Sequence, residues 1–506
     1  MLNNICRKNK KIRDKPFLPI VLFGKHSEEV VFLLKNFITF SAARAPECAR
    51  LIGGGIFGEP TQDILTNIIN IVNGALFLFF ILLYLHQFVY LFVSVFRGKR
   101  ALPPAGKRHR LGIVICARNE EKVLGQLIES IRRNDYPAEL VDIFVVADNC
   151  TDQTAALARS LGCIVYERND PEKVGKGFAL HYLFEHLHAD PLYAERCDAY
   201  VVLDADNILT KTYLTEMNKV FDRGYDMVTS YRNSKNFGEN WIASGYGYWF
   251  LHESCHLNSA RMTLGSSCAI SGTGFLIARD VVKEYGNWEF FTLTEDIECS
   301  TEFALSGRKI GFAKDAMLFD EQPSRFRQSW RQRERWAKGF YQVFAKKGRR
   351  LMKEDIRNFS CYDILTTICP ALLITLATLF FNTVCAIVGF SMGNVGAGLG
   401  ALAHIGLYAV NMYLVFLLFG GITLLTERRK ILCPTWKKIF HLFLFPLFMF
   451  TYLPIALVAL FKKVEWKPIY HTRSVSVEAL RAVEEQEEAP QRVKAVSERR
   501  GKKKAS

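Results

Sequence analysis

The chain has 506 residues, room for two or three domains, and 50% of its residues are hydrophobic. That fraction is high for a soluble protein, so we expect membrane segments. The formal net charge is +15, but most clusters of Lys and Arg adjoin apolar segments. This placement favours the basic flanks of membrane helices over a nucleic-acid-binding surface. The 13 cysteines form no CxxC pair and have no even spacing, which indicates reduced thiols in a cytoplasmic compartment.

The N-terminal part is the least informative. Residues 1–60 begin with a basic stretch but lack the apolar run and small-residue cleavage site of a signal peptide, and their role stays open. Residues 27–40 have the pattern of an amphipathic surface helix. A first transmembrane helix is predicted at 64–97, because its apolar run, 67–96, is longer than the ~20 residues needed to cross a bilayer.

A soluble domain is predicted at 108–345, where short β-rich runs alternate with helical patterns. The runs are LGIVICA (111–117), DIFVVAD (142–148), CIVYE (163–167), AYVVLDAD (199–206), DMVTSY (226–231) and GFLIA (274–278). Helical stretches follow at about 121–133, 151–161, 177–188 and 210–222. This order predicts a Rossmann-like α/β fold, a mainly parallel sheet with helices on both faces. Ligands bind such sheets at the carboxyl ends of the strands.

Carboxylates collect at those predicted strand ends. ARNE (117–120) ends the first strand, Asp148 ends the second, and Asp204 and Asp206 end the fourth. No Gly-rich loop follows the first strand, which argues against an NAD or P-loop site. Two carboxylates spaced like Asp204 and Asp206 suit a Mg²⁺ or Mn²⁺ ion shared with phosphate oxygens, although this short motif is also common in ordinary loops.

Two motifs further along carry candidate chemistry. Thr294, Glu295 and Asp296 precede a helical stretch, where Thr294 is placed to cap the helix and the helix dipole favours the carboxylates. An ionised carboxylate here is suited to remove a proton from a sugar hydroxyl, while an ordinary acidic helix start is the alternative. The segment RQSWRQRERWAKGF either lies at a membrane interface or uses Arg335, with Gln332 and Trp336, to bind a diphosphate.

The motifs CARNE, ADN, DAD, TED and QxxRW occur in this order, with one membrane helix before them and several after. The set resembles the family 2 glycosyltransferases that include cellulose, hyaluronan, chitin and poly-N-acetylglucosamine synthases. The resemblance covers roughly residues 65–461. It implies a GT-A catalytic domain inserted between transmembrane helices, inverting transfer from a UDP-sugar, and Mg²⁺ or Mn²⁺ as the cofactor.

The same resemblance implies roles for single residues. It assigns donor binding to Ala117, Glu120, Asp148, Lys173, Asp204, Gln332, Arg335 and Trp336, metal binding to Asp206, and catalysis to Asp296, the base, and Glu295. Lys176 is close enough to Lys173 that the register of that lysine stays open. Asn149 stands where the family often has an acidic residue, so only Asp148 is carried over at that motif.

One motif competes with this assignment. His252, Glu253 and His256 satisfy the HExxH pattern, in which two histidines bind zinc and the glutamate is the base of a protease. The motif falls inside the α/β domain and has no evident third ligand nearby. A helix that lines the acceptor cleft, or a buried histidine pair, is therefore favoured.

The C-terminal half is predicted to be embedded in the membrane. Region 361–461 holds the apolar segments 363–391, 402–425 and 438–461, for two to three spans, followed by a basic flexible tail at 465–506. Pro446 and Pro454 interrupt the last segment, which makes a re-entrant hairpin a hypothesis. Nucleotide sugars are cytoplasmic, so we expect a multi-pass cell-membrane protein with its catalytic domain inside.

Three functions stay open at this point. The first is synthesis of a β-linked cell-surface or secreted polysaccharide, the second is non-processive transfer to a lipid or short glycan, and the distant third is a membrane zinc protease. The expected partners are a UDP-sugar, a glycan or lipid acceptor and membrane lipid, without nucleic acid. UDP-glucose and UDP-N-acetylglucosamine are the favoured donors by family frequency.

Overall fold

The structure, a computed structural model, describes residues 64–96, 102–354 and 358–465. The expectations for residues 1–60, including the helix at 27–40, and for the tail after residue 465 lie outside the described residues.

The centre of the α/β domain is an eight-stranded sheet with the order β3-β2-β1-β4-β7-β6-β8-β5. Its strands are β1 (Leu111–Ala117), β2 (Val141–Asp148), β3 (Ile164–Arg168), β4 (Ala199–Asp204), β5 (Ile208–Leu209), β6 (Met227–Ser234), β7 (Phe275–Ala278) and β8 (Ile310–Asp320). Strands β1 to β4 pair in parallel, as do β6 and β8, while β7 and β5 run antiparallel to their neighbours. The predicted α/β fold with a mainly parallel sheet is confirmed.

Helices cover both faces of this sheet. They are α2 (Leu124–Arg132), α3 (Thr154–Ser160), α4 (Lys176–Ala189), α5 (Tyr213–Phe221), α6 (Trp241–His252), a π-helical turn (Glu253–Asn258), α7 (Ser259–Leu264), α8 (Arg279–Glu284) and α9 (Glu295–Leu305). Neighbouring residues of β1 point to opposite faces, so Val114 packs in one core with α4 and α6, while Ile113 and Ile115 pack in the other with α2 and α5.

A 29-residue helix, α10 (Phe326–Glu354), follows the last strand and carries the QxxRW motif. The candidate membrane region contains α1 (Ile64–Phe96), which precedes the domain, and α11 (Phe359–Ile368), α12 (Pro370–Ser391), α13 (Val395–Glu427), α14 (Thr435–Phe450) and α15 (Tyr452–Phe461). Within the described residues, four stretches are long and apolar enough to cross a membrane: Ile64–Phe96, Leu373–Ser391, Val395–Glu427 and Thr435–Phe461.

Two membrane segments are interrupted. The apolar segment 363–391 is divided at Cys369, since the residue before a proline is disfavoured in a helix, and α12 begins at Pro370. The last stretch consists of α14, with Pro446 inside it, and α15, with Thr451 at the junction. The short α15 packs along α10, where Tyr341 donates a hydrogen bond to the carbonyl of Ala456 at 3.2 Å.

Buried polar contacts hold the α/β domain against the candidate membrane helices. Asp363 of α11 accepts two hydrogen bonds from Arg261 of α7, at 2.7 and 2.9 Å, and a third from Tyr90 of α1 at 2.7 Å. Tyr231 of β6 donates to Glu427 at the end of α13 at 2.9 Å. These contacts place the edge of the sheet next to the membrane segments.

Candidate active site

The carboxyl ends of the parallel strands meet at one side of a single cavity. In the strand register Cys116 pairs with Asp204, and Ala117 pairs with Ala147, so Ala117, Asp148 and Asp204 end at the same level. All three line a cavity of about 1250 Å³. Ten of the eleven predicted site residues line it, namely Ala117, Glu120, Asp148, Asp204, Asp206, Glu295, Asp296, Gln332, Arg335 and Trp336.

The eleventh residue, Lys173, is exposed and lies outside the cavity lining. Lys176, the first residue of α4, takes the place expected for Lys173. Its Nζ donates to Asp204 Oδ1 at 2.5 Å and to the carbonyl of Gly272 at 2.7 Å. The register left open by the sequence therefore favours Lys176, because helix α4 begins only there and directs this side chain to the sheet edge.

The two aspartates of the DAD motif have different surroundings. The side chain of Asp204 is 39% exposed to the cavity, whereas Asp206 is only 4% exposed. Asp206 Oδ2 accepts a hydrogen bond from the backbone N–H of Glu321, which follows β8, at 2.8 Å. Strand β8 thus fixes the orientation of Asp206.

Asp204 and Asp206 fit a divalent ion that a bound ligand also helps to coordinate. In the described part of the chain, no group of three or more His, Cys, Asp or Glu side chains could hold a metal by itself. Mg²⁺ is usually bound by one or two carboxylates together with substrate phosphates and water, and Asp204 and Asp206 supply that number. The residues present therefore fit an ion that arrives with a diphosphate.

Glu295 and Asp296 begin helix α9 and face the same cavity. Asp296 Oδ1 accepts a hydrogen bond from the N–H of Ile297 at 2.8 Å. Burial, reinforced by the charge of Asp296, raises the pKa of Glu295 to about 7, and burial also raises the pKa of Asp296. The pair is therefore suited to hold and release a proton near neutral pH. The prediction that the Thr294 side chain caps this helix is wrong, since Thr294 makes no capping hydrogen bond.

Helix α10 brings the QxxRW residues to the start of α9. Arg335 Nη1 donates to the carbonyl of Leu293, just before Glu295, at 2.8 Å. Trp336 lies edge-on to the rings of Tyr246 and Phe250 of α6, with centroid distances of 5.8 and 6.2 Å. Gln332, Arg335 and Trp336 all line the cavity with the carboxylates, so α10 forms one wall of the site.

Gln332 presents a polar atom that has no partner among the described residues. Its Oε1 is buried and accepts no hydrogen bond from them, although the residue lines the cavity. A buried amide oxygen without a partner is costly, so a ligand or water that donates to it is expected at this wall.

The two histidines of HExxH lie side by side, with ring centroids 5.3 Å apart, and Glu253 faces away from them. His256 bonds Ser94 of α1 at 2.7 Å, and His252 stacks on Phe419 of α13 with a centroid distance of 4.9 Å. Glu253 instead lines the cavity. The histidines connect the domain to the membrane helices, and no third ligand completes a zinc site among the described residues. The motif therefore gives no support to a zinc protease.

The cavity continues from the carboxylates into the membrane region. Its far part is lined by apolar and aromatic residues of α1, α12, α13 and α15, including Phe77, Phe80, Ile81, Leu379, Tyr408, Met412 and Leu453. Phe77 and Ile81 are 42% and 41% exposed, so this part is open on the side that would face lipid.

Sequence reasoning missed four charged residues of the cavity. Arg232 near the end of β6 pairs with Asp320 at the end of β8, Glu321 follows, and Arg261 lies on α7. Asp320 and Glu321 have the same signal as Asp204, a polar residue that ends a buried strand, but β8 was not predicted, so its end was not examined. Arg232 directly follows the predicted run DMVTSY and was overlooked there.

The comparisons with known proteins agree with this geometry. The family described as glycosyltransferase like family 2 matches residues 109–339, which include the whole sheet and the QxxRW motif. Residues 109–339 are thus similar to a family 2 glycosyltransferase domain. The GT-A-like fold expected from the motifs is thereby confirmed. The narrower likeness to polysaccharide synthases stays a proposal.

Two curated relatives contain a similar domain. A probable glycosyltransferase, YdaM of Bacillus subtilis, is 26% identical over 47% of this chain and 56% of its own length. A beta-monoglucosyldiacylglycerol synthase of Synechocystis sp. is 26% identical over 46% of this chain and 48% of its own length. The chain thus spans about half the length of the curated relatives it matches. A solved mannosyltransferase of Pyrobaculum calidifontis, in complex with GDP-Man and Mn²⁺, is 17% identical, with a TM-score of 0.48 over 79% of this chain and 99% of its own.

Proposed function

We propose that this protein transfers a sugar from a UDP-sugar to a hydroxyl group of a membrane-lipid acceptor, with inversion at the anomeric carbon. One observation carries the proposal: a single cavity has the family 2 carboxylates at one end and the apolar residues of four membrane helices at the other. A water-soluble donor and a lipid acceptor would reach the same carboxylates from opposite sides.

The donor is assigned to the sheet edge. Asp148 and Glu120 lie where a nucleoside would rest, and Arg335 and Gln332 face the position of its diphosphate. Arg335 offers a planar, always charged donor group, which suits the oxygens of a departing diphosphate. A Mg²⁺ or Mn²⁺ ion bound by Asp206 and Asp204 would neutralise further charge on that leaving group.

Asp296 is assigned as the base. It would accept the proton of the acceptor hydroxyl while that oxygen attacks the anomeric carbon from the face opposite the diphosphate. Glu295 keeps the pair protonated to a higher pH than either residue alone, because two adjacent buried carboxylates resist double ionisation. An α-linked donor would give a β-linked product.

A lipid acceptor is favoured over a growing polymer by the lining of the membrane part. Within the described residues, no Asp, Glu, Lys or Arg of α1, α12, α13 or α15 contributes to the cavity. The name of the Synechocystis relative, a monoglucosyldiacylglycerol synthase, supports the same acceptor class. The polysaccharide function remains the competing outcome of the experiment below.

The cytoplasmic orientation of the domain has support from charge. The basic residues 428–430 follow α13, and Lys430 lies 3.7 Å from the ring centroid of Tyr231 in the domain. The loop after α13 and the catalytic domain are therefore on one side of the membrane. Because basic loops are retained on the cytoplasmic side, both are assigned there.

The test uses the full chain, purified in detergent with native lipids added back, and a panel of UDP- and GDP-sugars. Release of nucleoside diphosphate and the mass of lipid products are measured with and without Mg²⁺ or Mn²⁺. Asp296→Asn should lower transfer by on the order of 10²–10⁴-fold while the donor Kd stays within a few-fold, because a general base acts on the acceptor. Asp315→Asn, at an exposed position of β8, is the matched control.

A glycosylated lipid formed from one donor would support the proposal. A soluble polymer and no lipid product would instead establish the polysaccharide synthase. Loss of donor binding in Asp296→Asn would contradict the assignment of the base.

A further inference from the structure

Glu253 is a cavity residue for which the reaction described above gives no role. It is the first residue of the π-helical turn Glu253–Asn258, between α6 and α7. Trp249 and Phe250, one turn earlier, and Leu257, one turn later, line the same cavity. Glu253 is thus the single acidic group on a helix face that is apolar apart from Arg261, and π-helical turns are frequent at functional sites.

The surroundings connect Glu253 to the proposed base. Burial raises the pKa of Glu253, a hydrogen bond from Ser271 and the charges of Arg261 and Arg232 act against that rise, and the charge of Asp296 adds to it, so these groups all lie near the Glu253 carboxylate. Ser271 adjoins Gly272, where a Cβ atom would lie 3.6 Å from Asp296 Oδ2. The loop of Ser271 and Gly272 therefore lies close to both carboxyl groups.

The charge balance of the cavity restricts the acceptor. Nine Asp and Glu side chains and five Arg and Lys side chains line it, so it has no excess of positive charge for a second anion beside the donor diphosphate. Three of the basic residues are already paired with carboxylates, Lys176 with Asp204, Arg232 with Asp320 and Arg261 with Asp363. Arg232 and Arg261 are the arginines near Glu253, and since Asp320 and Asp363 already balance their charges, a lipid phosphate would meet Glu253 and Asp296 with unfavourable charge.

We infer that Glu253 hydrogen-bonds a hydroxyl group of an uncharged lipid acceptor and positions the attacking hydroxyl at Asp296. The acceptor class is a neutral lipid with free hydroxyl groups, such as a diacylglycerol, rather than a lipid phosphate. This inference rests on the proposed function and adds the residue that selects the acceptor. A carboxylate accepts hydroxyl hydrogen bonds strongly and repels phosphate, so one side chain serves both purposes.

The experiment measures the kinetics of the full chain in mixed micelles, with dioleoylglycerol and undecaprenyl phosphate as alternative acceptors. The inference predicts transfer to dioleoylglycerol. Glu253→Gln should raise the acceptor KM about tenfold, because a charge-assisted hydrogen bond is lost, while the donor KM changes less than about twofold. Glu185→Gln, on the exposed side of α4, is the matched control. Ser271→Ala should shift the acceptor KM in the same direction by a smaller factor.

The outcomes separate this inference from the proposed function. Lipid transfer with an unchanged acceptor KM in both variants would overturn the role of Glu253 and leave lipid glycosylation standing. Transfer to undecaprenyl phosphate alone would overturn the neutral acceptor. Donor cleavage with no lipid product of any kind would overturn the proposed function itself. If Glu253→Gln fails to fold, Ser271→Ala decides the role of Glu253, because it removes only one hydroxyl group.

Discussion

Two adjacent carboxylates at the start of α9 determine how the proposed reaction should respond to pH. Burial holds a proton on the pair of Glu295 and Asp296 to higher pH than on an exposed carboxyl, with the pKa of Glu295 at about 7. Since the two groups are adjacent, the observed titration belongs to the pair rather than to one residue.

Transfer should therefore fall toward acidic pH as Asp296, the base, takes up a proton, and the fall should begin at a higher pH than for an exposed aspartate, because burial raises the pKa of Asp296. At higher pH the rate should level off. The measurement is kcat for nucleoside diphosphate release between about pH 5.5 and 8. Glu295→Gln removes the neighbouring negative charge, so the inflection should move to lower pH. A profile that is flat in both proteins would contradict the assignment of the pair.

The positions of single residues could be predicted only where the local backbone is regular enough to be visible in the sequence. Asp148 and Asp204 could be placed because each ends a continuous apolar run, and the end of a strand is visible in sequence. Lys173 and Lys176 could not be separated, because the start of α4 depends on Gly175, whose φ of +147° breaks the preceding turn. The environment of Gln332 depends on packing between distant segments, which periodicity does not report.

Helix α10 is the element that couples the membrane region to the catalytic carboxylates. Gly339, on its buried side, lies against Thr294, so a Cβ atom at this position would come within 2.4–2.9 Å of that side chain. Arg335 binds the carbonyl of Leu293 in the same loop. The close approach of helix and loop fixes where α9, which carries Asp296 in its first turn, begins.

Gly339→Ala should therefore displace α10 from the start of α9 and lower kcat by on the order of 10–100-fold, since small misplacements of catalytic groups are costly. The donor KM should also rise, because Arg335 moves with the helix. Gly125→Ala is the control: this residue of α2 has no atom within 4 Å of the added Cβ, so activity should persist. Unfolding followed by circular dichroism checks that both variants are folded. Equal kcat in both variants would show that α10 does not position the carboxylates.

Strands with an uninterrupted apolar pattern were predicted, and a strand whose apolar pattern is interrupted was missed. Strand β1 was predicted with its observed bounds, Leu111–Ala117, because it is a short apolar run that ends in polar residues. Strand β8 was missed because Lys314 and Asp315 interrupt its apolar pattern, where the pairing register with β6 shifts after Ser230. A bulge of this kind removes the alternation on which sequence reasoning depends.

The whole molecule joins the carboxylate-bearing edge of the sheet to a cavity among candidate membrane helices. The sequence predicted both parts, because long apolar segments and alternating strands and helices are distinct patterns. It could not predict that they share one cavity. That relation depends on contacts such as Asp363 with Arg261 and Tyr231 with Glu427, between residues far apart in the chain.

The shared cavity predicts that blocking its membrane part will affect only acceptors with long chains. Leu379 of α12 lines this part, and Leu379→Trp would fill space that an acyl chain needs. Transfer to dioleoylglycerol should fall about tenfold, while transfer to a short-chain, water-soluble diacylglycerol stays within about twofold, because only the longer chain must pass Leu379. Leu402→Trp is the control, since Leu402 is 47% exposed and lies outside the cavity lining. An equal loss with both acceptors would mean that the tryptophan disturbs the carboxylates, and no loss with either would mean that the acceptor does not enter between the membrane helices.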